Sequence, residues 1–288
     1  MGIRITKMQG CGNDFVILDY KNYQNGLKNK LWEDMSECAV KLCNRNFGAG
    51  ADGLIIPNVD VEDADIGWFF YNSDGSTAQM CGNGIRCFAR YAYDNKLVDK
   101  KDFTVKTLAG IIKPKLTENG NVKVNMSKPI LDSEKIPFIP NNNLNYKISV
   151  KDKIFEGNAV SMGNPHFIIY INDESDLLNL AKIYGPEIET SAEFPEKTNV
   201  EFVRIKSRNA IDLRVWERGC GITLACGTGA CAAVVAGILN GYIDNSVEVS
   251  LLGGKVQIDW QGSFDNTSVD VHMTGPAEYV YNAELISH

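Results

Sequence analysis

Long apolar runs are missing from this chain, so no stretch of it reads as a membrane-spanning helix. Basic residues are the minority: 29 lysines and arginines stand against 36 aspartates and glutamates, a net charge of −7. No block of positive charge gathers anywhere, which argues against a nucleic-acid surface. The opening MGIRITKMQG lacks the apolar core of a secretion signal, so a cytoplasmic location is expected. No Gly-x-x-x-x-Gly-Lys segment occurs, and nucleotide binding is not expected. No two cysteines stand two to four positions apart, the spacing of paired zinc ligands, so neither a metal nor a metal cofactor is expected.

What is present is a soluble core and eight cysteines. The 288 residues are 44% hydrophobic and 23% charged, enough for one large domain or two ordinary ones. In a chain this long and in a reducing compartment, the cysteines are expected as thiols rather than as a disulfide framework. Cys38 and Cys43 lie on a run with helical periodicity, and Cys87 and Cys231 lie a turn beyond glycine motifs. These four read as core packing. Cys11, Cys81, Cys220 and Cys226 are each beside or near glycine.

The chain repeats itself. CGNGIRCFARYAYD from Cys81 matches CGTGACAAVVAGIL from Cys226, both a Cys-Gly-x-Gly followed by a helical run. FTVKTLAGIIKPKL from Phe103 aligns on VEVSLLGGKVQIDW from Val247, and NVKVNMSKPI from Asn121 on SVDVHMTGPA from Ser268. GNDFVIL from Gly12 resembles GNPHFIIY from Gly163 with one residue inserted. A fixed-order repeat of this size predicts two related domains. The joint is placed in the Pro- and Asn-rich stretch between Leu131 and Asn145, giving domains 1–131 and 145–288, with the last strands exchanged between the halves. Alternating segments such as VEVSLL and VDVHM predict antiparallel sheet. ACAAVVAGIL is apolar all round and should be buried; IRCFARYAY is more amphipathic.

A Cys-Gly-x-Gly at a helix start offers unhindered backbone N–H groups at the positive end of the helix, a natural carboxylate seat. The same end should lower the pKa of a capping cysteine. Two thiols on opposite faces of one carbon could remove and return a proton, which is the geometry of stereoinversion. Two such thiols would also be open to reversible oxidation.

The segments MQGCGNDFVILD, NSDGSTAQMCGNGIRC, SMGNPHF and WERGCGITLACGTGACAA resemble, in order and spacing, the signature segments of the diaminopimelate epimerase family. That resemblance covers essentially the whole chain. It implies an α/β fold of two homologous, pseudo-symmetric domains, each a mixed, largely antiparallel sheet or barrel around a central helix, with the active site in the cleft between them. It implies interconversion of LL- and meso-diaminopimelate without pyridoxal phosphate, any other cofactor or metal, in lysine and peptidoglycan-precursor supply. By position, Cys81 and Cys226 match the acid and base. Asn13, Asn72, Asn164, Asn199, Glu217 and Arg218 match substrate-binding residues. Gly82, Asn83, Gly227 and Thr228 match the seat of the α-carboxylate, and His166 matches a supporting histidine. Gln9, Cys11 and Gly53 depart from the family's common residues, Gly53 standing where some members carry a binding glutamine.

These roles suit a substrate with two carboxylates and two ammonium groups. Arg218 can grip a distal carboxylate in two places, Glu217 can face an ammonium, and asparagines orient without adding charge. A proline-type racemase shares the paired-cysteine logic but gives Arg218 and Glu217 nothing to hold. A non-catalytic binder of an anionic ligand is the reading from another class. A symmetric homodimer is the assembly considered, because twofold dimers are common, though no segment identifies an interface. Asp74 reads as turn chemistry, Cys220 is given no role, and His272 and His288 read as a strand residue and a terminal residue.

Overall fold

The computed structural model describes residues 2–77 and 80–286, so His288 lies outside the described residues. The chain divides into two units, Met1–Val124 with Gly275–His288, and Asn125–Thr274. This differs from domains 1–131 and 145–288, and the reason is hydrogen bonding. Glu278–Leu285 pairs antiparallel with Ile3 through Gln9, which returns the C-terminal strand to the first unit. Ile130 exchanges backbone hydrogen bonds with Ser161, and Ile139 of the expected linker donates its N–H to the Glu193 carbonyl, which ties both to the second.

The first unit carries a seven-stranded sheet in the order Glu278–Leu285, Ile3–Gly10, Asn13–Ile17, Gly53–Asn58, Ile66–Asn72, Val105–Thr107, Gly110–Ile112. Its helices are α1 (Tyr20–Lys28), α2 (Met35–Cys43) and α3 (Gly82–Asp94). Asp19 and Asp34 cap α1 and α2 by accepting N–H bonds from Asn22 and Glu37, which satisfies groups that a helix start leaves orphaned. The apolar face of α2 (Cys38, Ala39, Leu42, Cys43) closes a core with Ile3, Ile5, Val16, Leu18, Leu54 and Ile56.

The second unit begins its sheet with Tyr146–Val150, Lys153–Ser161, Pro165–Tyr170, Asn199–Ser207, Ala210–Glu217, Ser246–Ser250 and Lys255–Asp259 as successive neighbours. Its helices are α4 (Leu177–Glu189) and α5 (Gly227–Leu239). Phe138, Phe155, Phe167, Phe194 and Phe202 form its aromatic core with one face of α4.

The duplication is visible in the pairing. From Asn13–Ile17 onward the first sheet steps parallel, antiparallel, parallel, antiparallel. From Pro165–Tyr170 onward the second sheet takes the same four steps. Each motif helix runs against its own unit's strands. Helix α5 is buried along nearly its whole length, as its all-apolar surface requires, and packs on Lys153–Ser161, Pro165–Tyr170, Asn199–Ser207 and Lys255–Asp259. Helix α3 is also largely buried, against Ile3–Gly10, Asn13–Ile17 and Gly53–Asn58, in spite of its polar residues. Among the described residues no helix is long and apolar enough to cross a membrane.

Candidate active site: two cysteine-capped helix ends

The two Cys-Gly-x-Gly motifs fold alike. Cys81 is the N-cap of α3, its Sγ accepting the Gly84 N–H at 3.4 Å. Cys226 is the N-cap of α5, its Sγ accepting the Gly229 N–H at 3.3 Å. Sulfur thus takes the place that a serine or aspartate oxygen usually holds. The cap points each thiol at the positive end of its helix, beside the N–H groups of Gly82 and Asn83 or of Gly227 and Thr228. Thr228 Oγ1 lies 3.5 Å from Cys226 Sγ.

Around Cys81 the first unit builds a polar chain. Strands Ile3–Gly10 and Asn13–Ile17 join through a two-residue turn in which Cys11 (φ 55°) and Gly12 (φ 82°) are both left-handed, the twist that tight hairpins favour. Asn13 is thereby set at the strand start. Its Oδ1 accepts from Cys81 Sγ at 3.7 Å and from Asn83 Nδ2 at 3.3 Å, while its Nδ2 donates to Asp52 at 2.7 Å. Asn72 ends the strand Ile66–Asn72 and donates to Ser76 Oγ at 2.9 Å.

The three departures from the family have local explanations. The Gln9 side chain accepts the Gly12 N–H at its Oε1 (2.7 Å) and donates from its Nε2 to Glu278 at 2.6 Å, so it braces the turn. Cys11 lies against the fully buried Arg86, whose guanidinium also donates to the carbonyls of Gly82 and Pro276. At Gly53 a Cβ would fall 2.8 Å from the Phe70 ring and 2.9 Å from the Tyr71 carbonyl, so this backbone has no room for a glutamine.

Around Cys226 the second unit is drier. Glu217, at the end of strand Ala210–Glu217, hydrogen-bonds Thr223 Oγ1 and the Cys226 thiol. Burial pushes the Glu217 carboxyl up, against the pull of those two bonds. His166 is fully buried, with Nδ1 2.7 Å from Glu201 Oε1 and Nε2 3.1 Å from Asn164 Oδ1. Asn199 spends both ends of its amide on the protein. Its Nδ2 donates to the Pro165 carbonyl at 2.8 Å, and its Oδ1 accepts the Arg218 N–H at 2.9 Å. Its work is therefore to place Arg218, whose exposed guanidinium rests on the Glu196 carbonyl at 3.0 Å.

The expected low pKa does not hold for Cys226. Burial raises its thiol well above the ordinary value, and the carboxylates of Glu217 and Glu201 add to the rise. Hydrogen bonds from Thr228 and the Gly229 N–H pull the other way and do not win. A helix end is a partial charge, while two nearby carboxylates in a dry site are whole ones. Burial and these two carboxylates favour the protonated thiol at Cys226. Cys43 and Cys87 are buried as core packing requires, both pushed by burial up to about 12, and Cys38 is pushed up as well.

Sequence reasoning missed Glu201, Asp52 and Thr223. Glu201 had a signal: it is the one acid within the apolar strand run NVEFV, two positions from Asn199 and so on the same face. Among the described residues, His166, Glu201 and Cys226 are the group whose donor atoms lie close enough together (within 4.8 Å) to hold a metal ion. The Glu201 contact already occupies His166 Nδ1.

The family profile described as diaminopimelate epimerase matches residues 5–131 and 158–280. A diaminopimelate epimerase of Halothermothrix orenii is 47% identical over 99% of this chain and 99% of its own. Among solved structures, a phenazine biosynthesis protein of the PhzF family from Bacillus anthracis superposes with a TM-score of 0.66 at 16% identity, covering 100% of both chains. A hydroxyproline epimerase from Agrobacterium vitis does so at 0.65 and 11% identity, covering 99% of this chain and 92% of that one. The last two show the shared two-unit fold. From the profile match over both halves and the identity over its full length, the chain belongs to the diaminopimelate epimerase family.

Proposed function

We propose that this protein is a diaminopimelate epimerase that interconverts the LL and meso isomers by a two-cysteine acid–base mechanism in lysine biosynthesis. The observation that carries the reading is the matched pair of N-caps: in each unit a cysteine accepts the N–H of the second glycine of its own motif. In this reading the two thiols address opposite faces of the substrate's α-carbon. Cys81 as thiolate takes the α-proton from one face, and the Cys226 thiol delivers its proton to the other. The pair ends with its protonation states exchanged, and the reverse reaction runs the same steps backward. The raised proton affinity of Cys226 supports its part as the acid.

The α-proton is weakly acidic, so the carbanion-like state needs stabilisation as it forms. The N–H groups of Gly82, Asn83, Gly227 and Thr228 receive the α-carboxylate at two helix ends, and need no reorganisation to do so. Arg218, set by Asn199, takes the distal carboxylate. Asn13, Asn72 and Asn164 orient the ammonium and carboxylate groups, and Glu217 with His166 supports Cys226. A cytoplasmic setting suits a reaction that needs both thiols reduced.

The test is stereochemical. Reduced protein incubated with LL-diaminopimelate should yield the meso isomer to an equilibrium mixture, while L-proline stays unchanged. Racemised proline with untouched diaminopimelate would move the substrate to the cyclic class, and binding without turnover would leave a ligand-binding module.

A further inference from the structure

A hairpin turn joins strand Ala210–Glu217 to Gly221–Ile222, and its residues Arg218, Gly219 and Cys220 are exposed. Each of their backbone N–H groups is nonetheless accepted within the protein. Arg218 donates to Asn199 Oδ1 at 2.9 Å, Gly219 to Glu189 Oε1 at 2.9 Å, and Cys220 to the Glu217 carbonyl at 3.0 Å. Gly219 has the positive φ (76°) that suits the third residue of a type II turn. Glu189 is the unusual partner. It is buried at the last residue of α4, and its other oxygen, Oε2, accepts the Trp216 indole N–H at 2.7 Å. One side chain thus holds both the arm and the tip of the turn. The close approach is built into α4: a Cβ on Gly185 would fall 2.5 Å from Trp216 Cβ, so glycine lets the helix lie directly on this strand. The Glu189 carbonyl also accepts the Thr198 N–H at 3.2 Å, beside Asn199.

We propose that Glu189 is a positioning residue for Arg218, fixing the aim of its guanidinium on the substrate's distal carboxylate. The inference rests on the epimerase reading for its substrate but not for the geometry of the turn. The peptide plane before Arg218 carries the N–H held by Asn199, and the plane after it carries the N–H held by Glu189. With both planes held, the two soft backbone dihedrals of Arg218 are set, and with them the direction of its Cα–Cβ bond. Two donors need two acceptor oxygens, which a carboxyl group supplies whether or not it is ionised, while a glutamine supplies one. In Glu189→Gln either the Trp216 indole or the Gly219 N–H would face an N–H₂, and the turn would lose one of its ties. Glu217 keeps its place independently, through Thr223, the Cys226 thiol and its pairing with Gly221.

The experiment compares Glu189→Gln, a near-isosteric change, with the wild type. KM for LL-diaminopimelate should rise about 10-fold, the size of a weakened hydrogen bond between charged groups. The distal carboxylate is remote from the reacting carbon, so kcat should change less than about 3-fold. A fall in kcat with KM unchanged would overturn the proposal. Arg218→Lys keeps the charge but not the two-pronged grip, and adding Glu189→Gln to it should raise KM by less than about 2-fold more. Fully additive effects would overturn it too. Amide hydrogen exchange reads the turn directly: the Gly219 amide should be protected in the wild type in spite of its exposure, and should exchange about 10-fold faster or more in Glu189→Gln. An unprotected Gly219 amide in the wild type would contradict the tie, and that measurement still decides if Glu189→Gln fails to fold. If diaminopimelate is not turned over at all, the epimerase reading fails, while Gly219 exchange tests the anchoring on its own.

Discussion

A Cβ on Gly229 would lie 2.5 Å from Glu201 Oε1 and 3.2 Å from Cys226 Sγ. The second glycine of the Cys226 motif is therefore what lets the helix end, the thiol and the buried carboxylate share one place. At the matching Gly84 the nearest atoms are Cys81 Cβ at 3.3 Å and the Phe15 ring at 3.4 Å, a tight but tolerable fit.

The two glycines should thus respond unequally. Gly229→Ala must displace a carboxylate or the helix start, and should destabilise by about 1–3 kcal/mol, as overpacking does, and remove most activity. Gly84→Ala should cost less than about 1 kcal/mol and keep measurable turnover. Urea unfolding midpoints and initial rates of both variants check this; equal losses would contradict it.

The Cys226 thiol should respond to its carboxylates. A raised pKa means that the acid form persists through neutral pH and is lost only as pH climbs. Burial supplies the largest part, Glu217 and Glu201 add to it, and Thr228 and the Gly229 N–H oppose it. His166 lies close as well, its donor atom within 4.8 Å of Cys226 Sγ. Glu217→Gln should therefore lower the pH at which Cys226 becomes alkylatable, by roughly one unit for one neighbouring charge. Alkylation rates against pH, read at Cys226 by mass spectrometry, would show the shift; an unchanged or higher midpoint would count against it.

Acid stability should depend on Asp14. Burial would raise this carboxyl, but Arg45 and the buried Lys7 (2.7 Å away) hold it down to about 2. A depressed carboxylate stabilises the fold above its unfolded value of 3.8, and that contribution fades as pH falls toward about 2. Asp14→Asn should remove on the order of 2 kcal/mol at neutral pH and flatten stability against pH between those limits. Denaturation midpoints across acid pH measure both.

Arg86 should be structural. It is fully buried in α3, donating to Pro276, Gly82 and Cys11, and so ties the returning C-terminal segment to the start of the motif helix. Arg86→Leu should destabilise by about 3 kcal/mol through the acceptors it leaves unpaired, a loss that unfolding by urea would register.

Much of this was legible in the sequence because the information was local. The Cys-Gly-x-Gly motifs announced the capped helix ends, and the all-apolar ACAAVVAGIL announced a buried helix. The repeat predicted two units that take the same pairing steps. The unit boundary was not legible, since Pro and Asn near 131–145 reported a loop, while the division followed a pairing between the chain's two ends. The burial of α3 was also hidden, because Arg86 finds its acceptors on distant segments. The Cys226 pKa was misjudged for a similar reason: the helix end is written in the motif, but Glu201 arrives from another strand.

The most direct measurement of the two-thiol mechanism is deuterium incorporation. Wild-type protein, Cys81→Ala and Cys226→Ala would each be reduced and given LL-diaminopimelate in D₂O, following α-deuterium and stereochemistry together. Deuterium entering the α-position with conversion to the meso isomer, lost in both variants, is the predicted result. Full conversion by either variant, or no exchange by the reduced wild type, would contradict it.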